Sequence, residues 1–430
     1  MRIAIVTHSS TYESRAEAVG NCFRKMGCRV TWIYSDYNHL TKQTRRKEKK
    51  DHIYMHMIPY TKNLSAKRLF SIHSFARETG RYIDAQMKGK DPFDLLYVMI
   101  PANTFVRETA NLKRQYSVKV IFDLIDLWPE SLPLKHLEKT PPVLYWRRLR
   151  DRDFDCADLI FTECGLYREL LKPAPELAEK METLYWFKES YKGEKTQKDA
   201  DSDRKERALT GEPASAVSSI QGTETLHVAY MGAINNIIDI PRITELLLAI
   251  DRIRPVKLHI VGEGNHAEDF IRAVEEAGIS MKYYGAVYDE MRKEEILSKC
   301  SFGLNIMKPD VCVGLTMKSI EYLSHSLPLI NNIRGDTERM VRELRIGVNA
   351  PPLLNEGEQT AEGTVREERR EKLETWAQMV VRQAEDPEAG NRAGNAYQNL
   401  FTRERFEQTL EKAVRAHGLT EPHEFRRVGN

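Results

Sequence analysis

The sequence predicts an α/β protein made of two Rossmann-like, doubly wound parallel-sheet domains. Two observations carry that expectation. Short apolar, β-branched strands alternate with amphipathic helical stretches in two separate series, a pattern that makes parallel strand pairs joined by helical crossovers. Between the series runs Lys188–Thr225, rich in Lys, Asp, Glu, Ser and Gly and nearly free of large apolar side chains, which reads as a disordered linker. At 430 residues and 41% apolar content the chain is long enough for two cores. It has no run of about 18 apolar residues such as a membrane-spanning helix needs.

The first series opens with strands at Met1–Val6 and Arg29–Tyr34 around the amphipathic stretch Arg15–Met26, a βαβ unit. Further strands are expected at Ile53–Ile58, Leu95–Met99, Lys119–Phe122 and Leu159–Thr162. The second series places strands at His227–Met231, Lys257–Val261, Met281–Tyr284, Phe302–Ile306 and Pro328–Asn331. A charged insert, Asn355–Lys372, is expected to interrupt it, followed by helical spacing at Trp376–Ala384 and Arg403–Ala416. The expected division is a first domain over 1–188, a linker over 189–224, a second domain over 225–395 and a terminal helical segment over 396–430.

Charge is distributed unevenly. Residues 1–150 hold 27 Lys or Arg against 14 Asp or Glu, and the remainder holds 38 against 49. A basic first half suits anionic lipid, a lipid-linked pyrophosphate or nucleic acid. The run Thr44–Lys50 reads as a solvated loop. The stretch Pro141–Arg150, PPVLYWRRLR, mixes aromatic and cationic residues; it fits either a membrane-interface helix or a helix packed on its own domain. The six cysteines show no metal-ligand spacing and suggest a reduced, cytoplasmic protein. Met1–Val6 leads directly into a strand, so no secretion signal is expected.

The chemistry concentrates at strand ends. Gly314–Ile330, GLTMKSIEYLSHSLPLI, reads as a loop and helix following the strand Phe302–Ile306, with Thr316 as N-cap. The first N–H groups of a helix lack internal acceptors and sit at the positive end of its dipole, so they favour phosphate; Lys318 adds a full charge there. Glu321, three residues on, suits ribose hydroxyls. An ordinary amphipathic helix with a surface ion pair explains the same spacing equally well. Asp126 ends an apolar strand, where it either meets a ligand or caps a turn, and His8, Ser9 and Ser10 follow the first strand.

Several strings together resemble glycosyltransferase family 4, and its bacterial capsule and exopolysaccharide branch in particular. The most specific is DLWPES, from Asp126 to Ser131 through Trp128, Pro129 and Glu130, within IFDLIDLWPES. Others are Lys318, Glu321, Tyr322 and Leu323 followed by Pro328; ADLIFTECGLYRELL (Ala157–Leu171); VAYMGAINN (Val228–Asn236); HIVGEG (His259–Gly264); and YYGAV (Tyr283–Val287). The likeness covers most of 1–190 and 225–350. It implies the GT-B architecture, two Rossmann-like domains facing a cleft.

The same resemblance implies transfer of a hexosyl group from a nucleotide sugar to a saccharide or polyprenyl-linked acceptor, with retention and without a metal or other cofactor. Asp126, Lys318 and Glu321 are the implied catalytic residues. The implied donor contacts are Gly232, Glu263, Gly264, Val287, Lys308, Thr316, Met317, Lys318 and Glu321. The implied acceptor contacts are His8, Ser9, Asn63, Arg68 and Asp126; of these, Asn63 and Arg68 lie with Lys67 in YTKNLSAKRLFSIHSF (Tyr60–Phe75), which resembles a stretch of some capsule-type transferases. No nucleic-acid partner is expected, and an anionic membrane surface is, through the basic first domain. The implied setting is cell-surface polysaccharide assembly, in the cytoplasm or at the inner face of the membrane.

The chain departs from the family pattern at four places: Ser326 stands where a glycine is usual, His8–Ser10 lacks the common glycine-rich turn, and two more bear on the donor. Val313 stands where the first of two glutamates is usual, and GAINNIIDI (Gly232–Ile240) lacks the arginine and lysine that commonly bind the diphosphate, which shifts that role to Lys318 or Lys308. The Asp-x-Asp strings at Asp151–Asp155 and Asp199–Asp203 read as a charged helix face and as linker. VGEGNHA (Val261–Ala267) matches a dinucleotide fingerprint only superficially, since no acidic partner ends the next strand. Two other classes stay open: a GT-B-fold sugar-nucleotide epimerase, and a transferase-like binding subunit with weak or no catalysis.

Overall fold

A computed structural model of the chain describes residues 1–45, 49–62, 65–132, 137–189, 225–352 and 362–420. The readings placed on Asn63, on Asp199–Asp203 and on all of the linker but Glu189 lie outside these residues.

Fifteen strands are described: β1 (Arg2–Thr7), β2 (Arg29–Ser35), β3 (Tyr37–Asn38), β4 (Gln43–Thr44), β5 (His52–Met55), β6 (Leu95–Ile100), β7 (Lys119–Leu124), β8 (Leu159–Thr162), β9 (Met181–Thr183), β10 (Leu226–Met231), β11 (Val256–Val261), β12 (Ser280–Tyr283), β13 (Phe302–Asn305), β14 (Leu329–Asn331) and β15 (Gly347–Asn349). Seven form a parallel sheet in the order β5-β2-β1-β6-β7-β8-β9, and six form a second parallel sheet in the order β12-β11-β10-β13-β14-β15. β3 and β4 make a small antiparallel ribbon. The central strand β6, Leu-Leu-Tyr-Val-Met-Ile, is buried along its whole length because helices cover both faces of the sheet.

Each sheet reverses its winding beside its first strand, between β1 and β6 in one and between β10 and β13 in the other. Crevices beyond the carboxyl ends of parallel strands open at such reversals and are where ligands bind. The loops after β1, β7, β8, β10 and β13 are therefore the ones that matter for chemistry.

The apolar residues divide into three clusters. One lies on a face of each sheet and runs continuously from the first to the second, joining Val98 and Phe122 to Met231, Leu315 and Tyr322. A second covers the other face of the second sheet, and a third the other face of the first. The helix Arg403–Ala416 contributes Phe406, Leu410, Ala413 and Val414 to that third cluster, and Glu407 pairs with Lys25 of the helix Glu13–Lys25. The chain end thus packs on the first sheet.

One expectation needs correction: the charged insert is helical from Glu362. The helix Glu362–Ala384 takes in the rest of it, because Leu373, Trp376, Ala377 and Val380 recur at helical spacing and bury against the second sheet while Glu367, Glu368, Arg370, Glu371 and Lys372 are exposed.

The two halves are bound by a buried carboxylate. Asp336 opens the helix Asp336–Leu344 of the second half and is fully buried. It accepts hydrogen bonds from the backbone N–H groups of Gly165 (2.9 Å) and Leu166 (2.8 Å), at the start of the helix Gly165–Leu171, and from the Tyr185 hydroxyl (2.7 Å). Charge-assisted bonds to a helix N-terminus are among the stronger polar contacts.

Candidate functional site

On the second sheet, a buried amide network aims one helix at the crevice. Asn305, at the end of β13, donates to the Ser319 hydroxyl (2.8 Å) and to Asn331 (3.1 Å), and accepts from the Thr316 hydroxyl (3.0 Å). The Thr316 side chain in turn accepts from the Ser319 N–H (3.1 Å). This caps the helix Met317–Ser324, with Met317 exposed on its first turn.

Lys318 lies next to the turn after β10. Its ammonium donates to the Tyr230 hydroxyl (2.7 Å) and stands 4.1 Å from the centre of the same ring. Its stem crosses Gly232, where a Cβ would come within 2.8 Å of Cε and where φ is +116°, so only glycine leaves room for it. Burial pushes the Lys318 pKa down to about 8.

The turns after β10 and β11 touch backbone to backbone. A Cβ on Gly264 would stand 2.1 Å from the Ile234 carbonyl oxygen, and the Ile234 N–H donates to the Glu263 carbonyl (2.9 Å). The glycines of VGEG are thus explained by loop packing. The Glu263 carboxylate is exposed and accepts from the Ala286 N–H at 3.3 Å, beside half-buried Val287. Lys308 is exposed, and its N–H donates to the Ile237 carbonyl (2.9 Å).

Glu321 and Lys318 have different partners. Its carboxylate meets the Lys188 ammonium, with Lys293 at 3.7 Å and His325 at 3.5 Å. Burial works to raise its pKa, but hydrogen bonds from His325 and Lys188 and the charges of Lys188 and Lys293 outweigh it and hold the pKa at about 2. Glu290, Glu321 and His325 bring ligand atoms within 4.8 Å of one another; there the two lysines supply the positive charge. Helical spacing gave Lys318 and Glu321 one face, but each side chain leans to a different neighbour.

On the first sheet, Asp126 follows β7 and accepts from the Tyr12 hydroxyl. Burial raises its pKa, opposed by the Tyr12 hydrogen bond and the Arg68 charge. Glu163, the residue after β8, lies near it: desolvation first, then the Asp126 charge, lift its pKa to about 8. Its Tyr167 neighbour lies 3.5 Å away. Two acids near adjacent strand ends whose pKa values are both raised by burial make a candidate site for proton chemistry.

Beneath them, Asp123 is fully buried and satisfied by Arg15 (2.7 and 2.9 Å) and by the Tyr97 hydroxyl (2.7 Å). The rest of DLWPES is anchored by the following helix, Pro141–Asp151. Arg150 donates to the Trp128 carbonyl (2.9 Å) and to Glu130 (2.8 Å), Arg147 also reaches Glu130 (2.9 Å), and Asn103 holds the Trp128 and Trp146 carbonyls at 3.0 Å each. Two of the three arginines of PPVLYWRRLR are therefore counter-ions within the domain, while Leu144 and Tyr145 stay exposed.

The remaining acceptor-side candidates converge beside Asp126. His8 is buried, edge-on to Tyr12 and Trp128, and burial and the charge of Arg68 lower its pKa to about 3. Ser9 bonds Thr11 (2.8 Å) and His39 (3.4 Å), and Ser10 bonds His39 (3.2 Å). Arg68 lies over the Trp128 ring at 4.9 Å. Lys67, next to it, is exposed.

Sequence reasoning missed Glu163, Tyr12, His39 and Tyr230. Glu163 carried a usable signal, since LIFTE repeats the strand-then-acid pattern of IFDLID. Tyr12 and Tyr230 sit within a few residues of Ser10 and Gly232 but carry no motif of their own, and His39 reaches the site from elsewhere in the chain.

Comparison with solved structures places this geometry in a known architecture. Sucrose-phosphate synthase from Thermosynechococcus elongatus superposes with a TM-score of 0.65 at 14% identity, covering 98% of this chain and 100% of that one. Anabaena HepE in complex with UDP gives 0.60 at 12% identity, covering 97% and 100%, and the lipopolysaccharide outer core galactosyltransferase WaaB gives 0.60 at 11%, covering 97% and 99%. The chain has the GT-B fold. HepE has also been solved with UDP-glucose, at 14% identity to this chain and a TM-score of 0.57. No family model and no curated protein matches the sequence. Among the described residues, no helix of this GT-B chain is long and apolar enough to cross a membrane.

Proposed function

We propose that this protein is a glycosyltransferase that moves a hexosyl group from a nucleotide sugar to a saccharide or polyprenyl-linked acceptor, in the manner of family 4 and in cell-surface polysaccharide assembly. The observation that carries this reading is Lys318, whose ammonium stands beside the capped N-terminus of Met317–Ser324 and over the Gly232 turn, at the winding reversal of the second sheet. That arrangement suits a diphosphate leaving group. Fixed donors aimed at developing negative charge lower the barrier without any reorganisation at the moment of reaction. Support also comes from the UDP and UDP-glucose complexes among the solved structures of like fold.

In this reading the donor lies on the second domain, with Gly232, Glu263, Gly264, Val287, Lys308, Thr316 and Met317 around it. The acceptor lies on the first, against His8, Ser9, Arg68 and Asp126. Transfer proceeds with retention and is metal-independent, with Lys318 and the helix N–H groups bearing the diphosphate charge. Asp126 orients the acceptor hydroxyl. Glu321 serves the ribose only after exchanging Lys188, which makes the linker side of the domain part of donor binding. The protein works in the cytoplasm, at the inner face of an anionic membrane.

The test is to incubate the full chain with a panel of nucleotide sugars and measure released nucleotide and recovered sugar. Slow donor hydrolysis, speeded by acceptor, is expected. Recovery of an epimerised donor indicates the epimerase instead, and binding without turnover the transferase-like subunit. Lys318→Gln is expected to weaken nucleotide diphosphate binding about tenfold or more, the worth of one charge-assisted contact. Because the ammonium deprotonates near pH 8, wild-type affinity is expected to fall as pH rises through that value and Lys318→Gln affinity to stay flat. Equal affinities for both chains at pH 7 would remove Lys318 from the donor site.

A further inference from the structure

Three loops beyond the carboxyl ends of strands meet at the Asp336 carboxylate. The loop after β8 brings Gly165 and Leu166, just past Glu163, and their N–H groups bond Asp336 at 2.9 and 2.8 Å. The loop after β13 brings Gly314, just before the N-cap Thr316. A Cβ on Gly314 would stand 2.8 Å from the Asp336 carboxylate, 2.8 Å from Leu166 Cβ and 2.9 Å from Cys164 Sγ. The loop after β14 carries Asp336 itself. A Cβ on Gly165 would meet the same carboxylate at 2.9 Å, so glycine on either side lets the two halves of the chain close on it.

The two loops of the second sheet are laced together. Thr337 donates to the Gly314 carbonyl through its N–H (2.9 Å) and through its hydroxyl (2.7 Å). Asn332 accepts from the Met307 N–H (2.8 Å) and donates to the Met307 carbonyl (2.7 Å). Asn331 donates to the Ile333 carbonyl (2.9 Å) and accepts from Asn305, the residue that also holds Thr316 and Ser319. A shift of Asp336 is therefore passed to the cap of the helix Met317–Ser324. On the other side the Tyr185 hydroxyl reaches the same carboxylate (2.7 Å), so two separate segments of the first half hang on it.

We infer that Asp336 is a positioning residue for the transfer: through Thr337 and Gly314 it holds the Thr316 cap and Lys318 at a fixed separation from Glu163 and Asp126. The inference rests on the transferase reading of the cleft and adds to it what sets the distance between the two reacting partners. None of Gly165, Leu166, Tyr185, Gly314, Asp336 and Thr337 is a proposed ligand contact, yet their junction stands between the two sets of contacts. A displacement of about 1 Å between reacting groups costs on the order of 100-fold in rate. A buried carboxylate bonded by both halves, with no space for a Cβ at Gly165 or Gly314, suits that demand.

The experiment is hydrogen exchange read by mass spectrometry on the full chain, wild type against Asp336→Asn and Tyr185→Phe, without ligand and with UDP. The Asn side chain sets an NH2 group against one of the two N–H groups, so exchange over Gly165–Leu171 is expected to speed at least about tenfold, the worth of one charge-assisted bond. Exchange over Met317–Ser324 is expected to speed about threefold or more, a usual size for coupling through a packed network. Exchange in β6 and β11 stays at the wild-type rate. Tyr185→Phe keeps the ring against Phe401 and loses one hydrogen bond; it is expected to give the same pattern at smaller size, and it decides the matter if Asp336→Asn does not fold. UDP is expected to slow exchange over Gly165–Leu171 in the wild type and not in Asp336→Asn.

Unchanged exchange over Met317–Ser324 in the folded variants overturns the inference, and so does a uniform increase across both sheets, which marks a purely structural role. UDP bound with no effect on Gly165–Leu171, or with an equal effect in both chains, overturns it too. Failure of the transferase reading is separate: it appears as absent UDP binding in the wild-type chain, while the ligand-free exchange rates still decide the role of Asp336.

Discussion

The two sides of the cleft are built on different physics. The second-domain side is steric: Gly232, Gly262 and Gly264 let the turns after β10 and β11 press together, and Lys318 fills the space a Cβ would take. The first-domain side is electrostatic. Asp123, Arg15 and His8, which are buried, and Asp126, Glu163, Tyr12 and Arg68, which are half-buried, form one connected set of titratable groups. A sterically defined site holds one shape across a wide pH range, while an electrostatically defined one keeps its shape only while its protons stay in place. On the function proposed above, the difference suits a cleft in which one side takes a nucleotide diphosphate and the other handles an acceptor hydroxyl.

The largest effect is expected on the first side. Arg15→Ala leaves the Asp123 carboxylate buried with its guanidinium partner gone, a change that typically costs about 3–5 kcal/mol. Denaturant unfolding at pH 7 reads it directly. A loss below about 1 kcal/mol would mean that Tyr97 alone satisfies Asp123, and the electrostatic description would fail.

On the second side, Gly264→Ala puts a methyl group against the Ile234 carbonyl and is expected to destabilise by about 2 kcal/mol, as overpacking does. The loss should be the same at pH 6 and pH 9, which distinguishes a steric site from a titrating one. A pH-dependent loss would break the contrast.

A smaller and pH-dependent effect is expected at Glu163. Its folded pKa, near 8, lies above the unfolded carboxyl value of 4.5, so the native state holds a proton that the unfolded state has released. Stability contributed by that proton is full below the unfolded value and is lost as pH rises through about 8. Glu163→Gln cannot lose it, and its stability relative to wild type should therefore improve by about 1.4 kcal/mol for each pH unit from pH 6 to about 8. Parallel stability curves for the two chains would show that Glu163 is charged at neutral pH.

The fold was legible because strand and helix patterns are local. The alternation of apolar strands with amphipathic helices predicted both sheets, and strand boundaries at β8, β10 and β13 agree with the sequence to within a residue. The capped helix was legible for the same reason, since Thr316 and Lys318 are neighbours in sequence and the cap is read from Thr316 itself. The charged stretch from Glu362 misled because composition outweighed the spacing of Leu373, Trp376 and Val380. The acceptor side was only half legible: DLWPES marked Asp126 and Trp128, but nothing local links them to Tyr12, His39 or Glu163.

By itself the sequence determined two parallel α/β domains, the capped helix with its lysine, and the strand ends where acids would sit, because each depends on residues within one or two turns of chain. Tertiary structure alone decided where the long side chains lean: Lys318 to Tyr230, Glu321 to Lys188, Arg147 and Arg150 to Glu130, Arg68 to Trp128. It also decided which acids have raised pKa values. Charge acts through space, and folding brought Asp126 and Glu163 together from the ends of two strands that are adjacent only in the sheet.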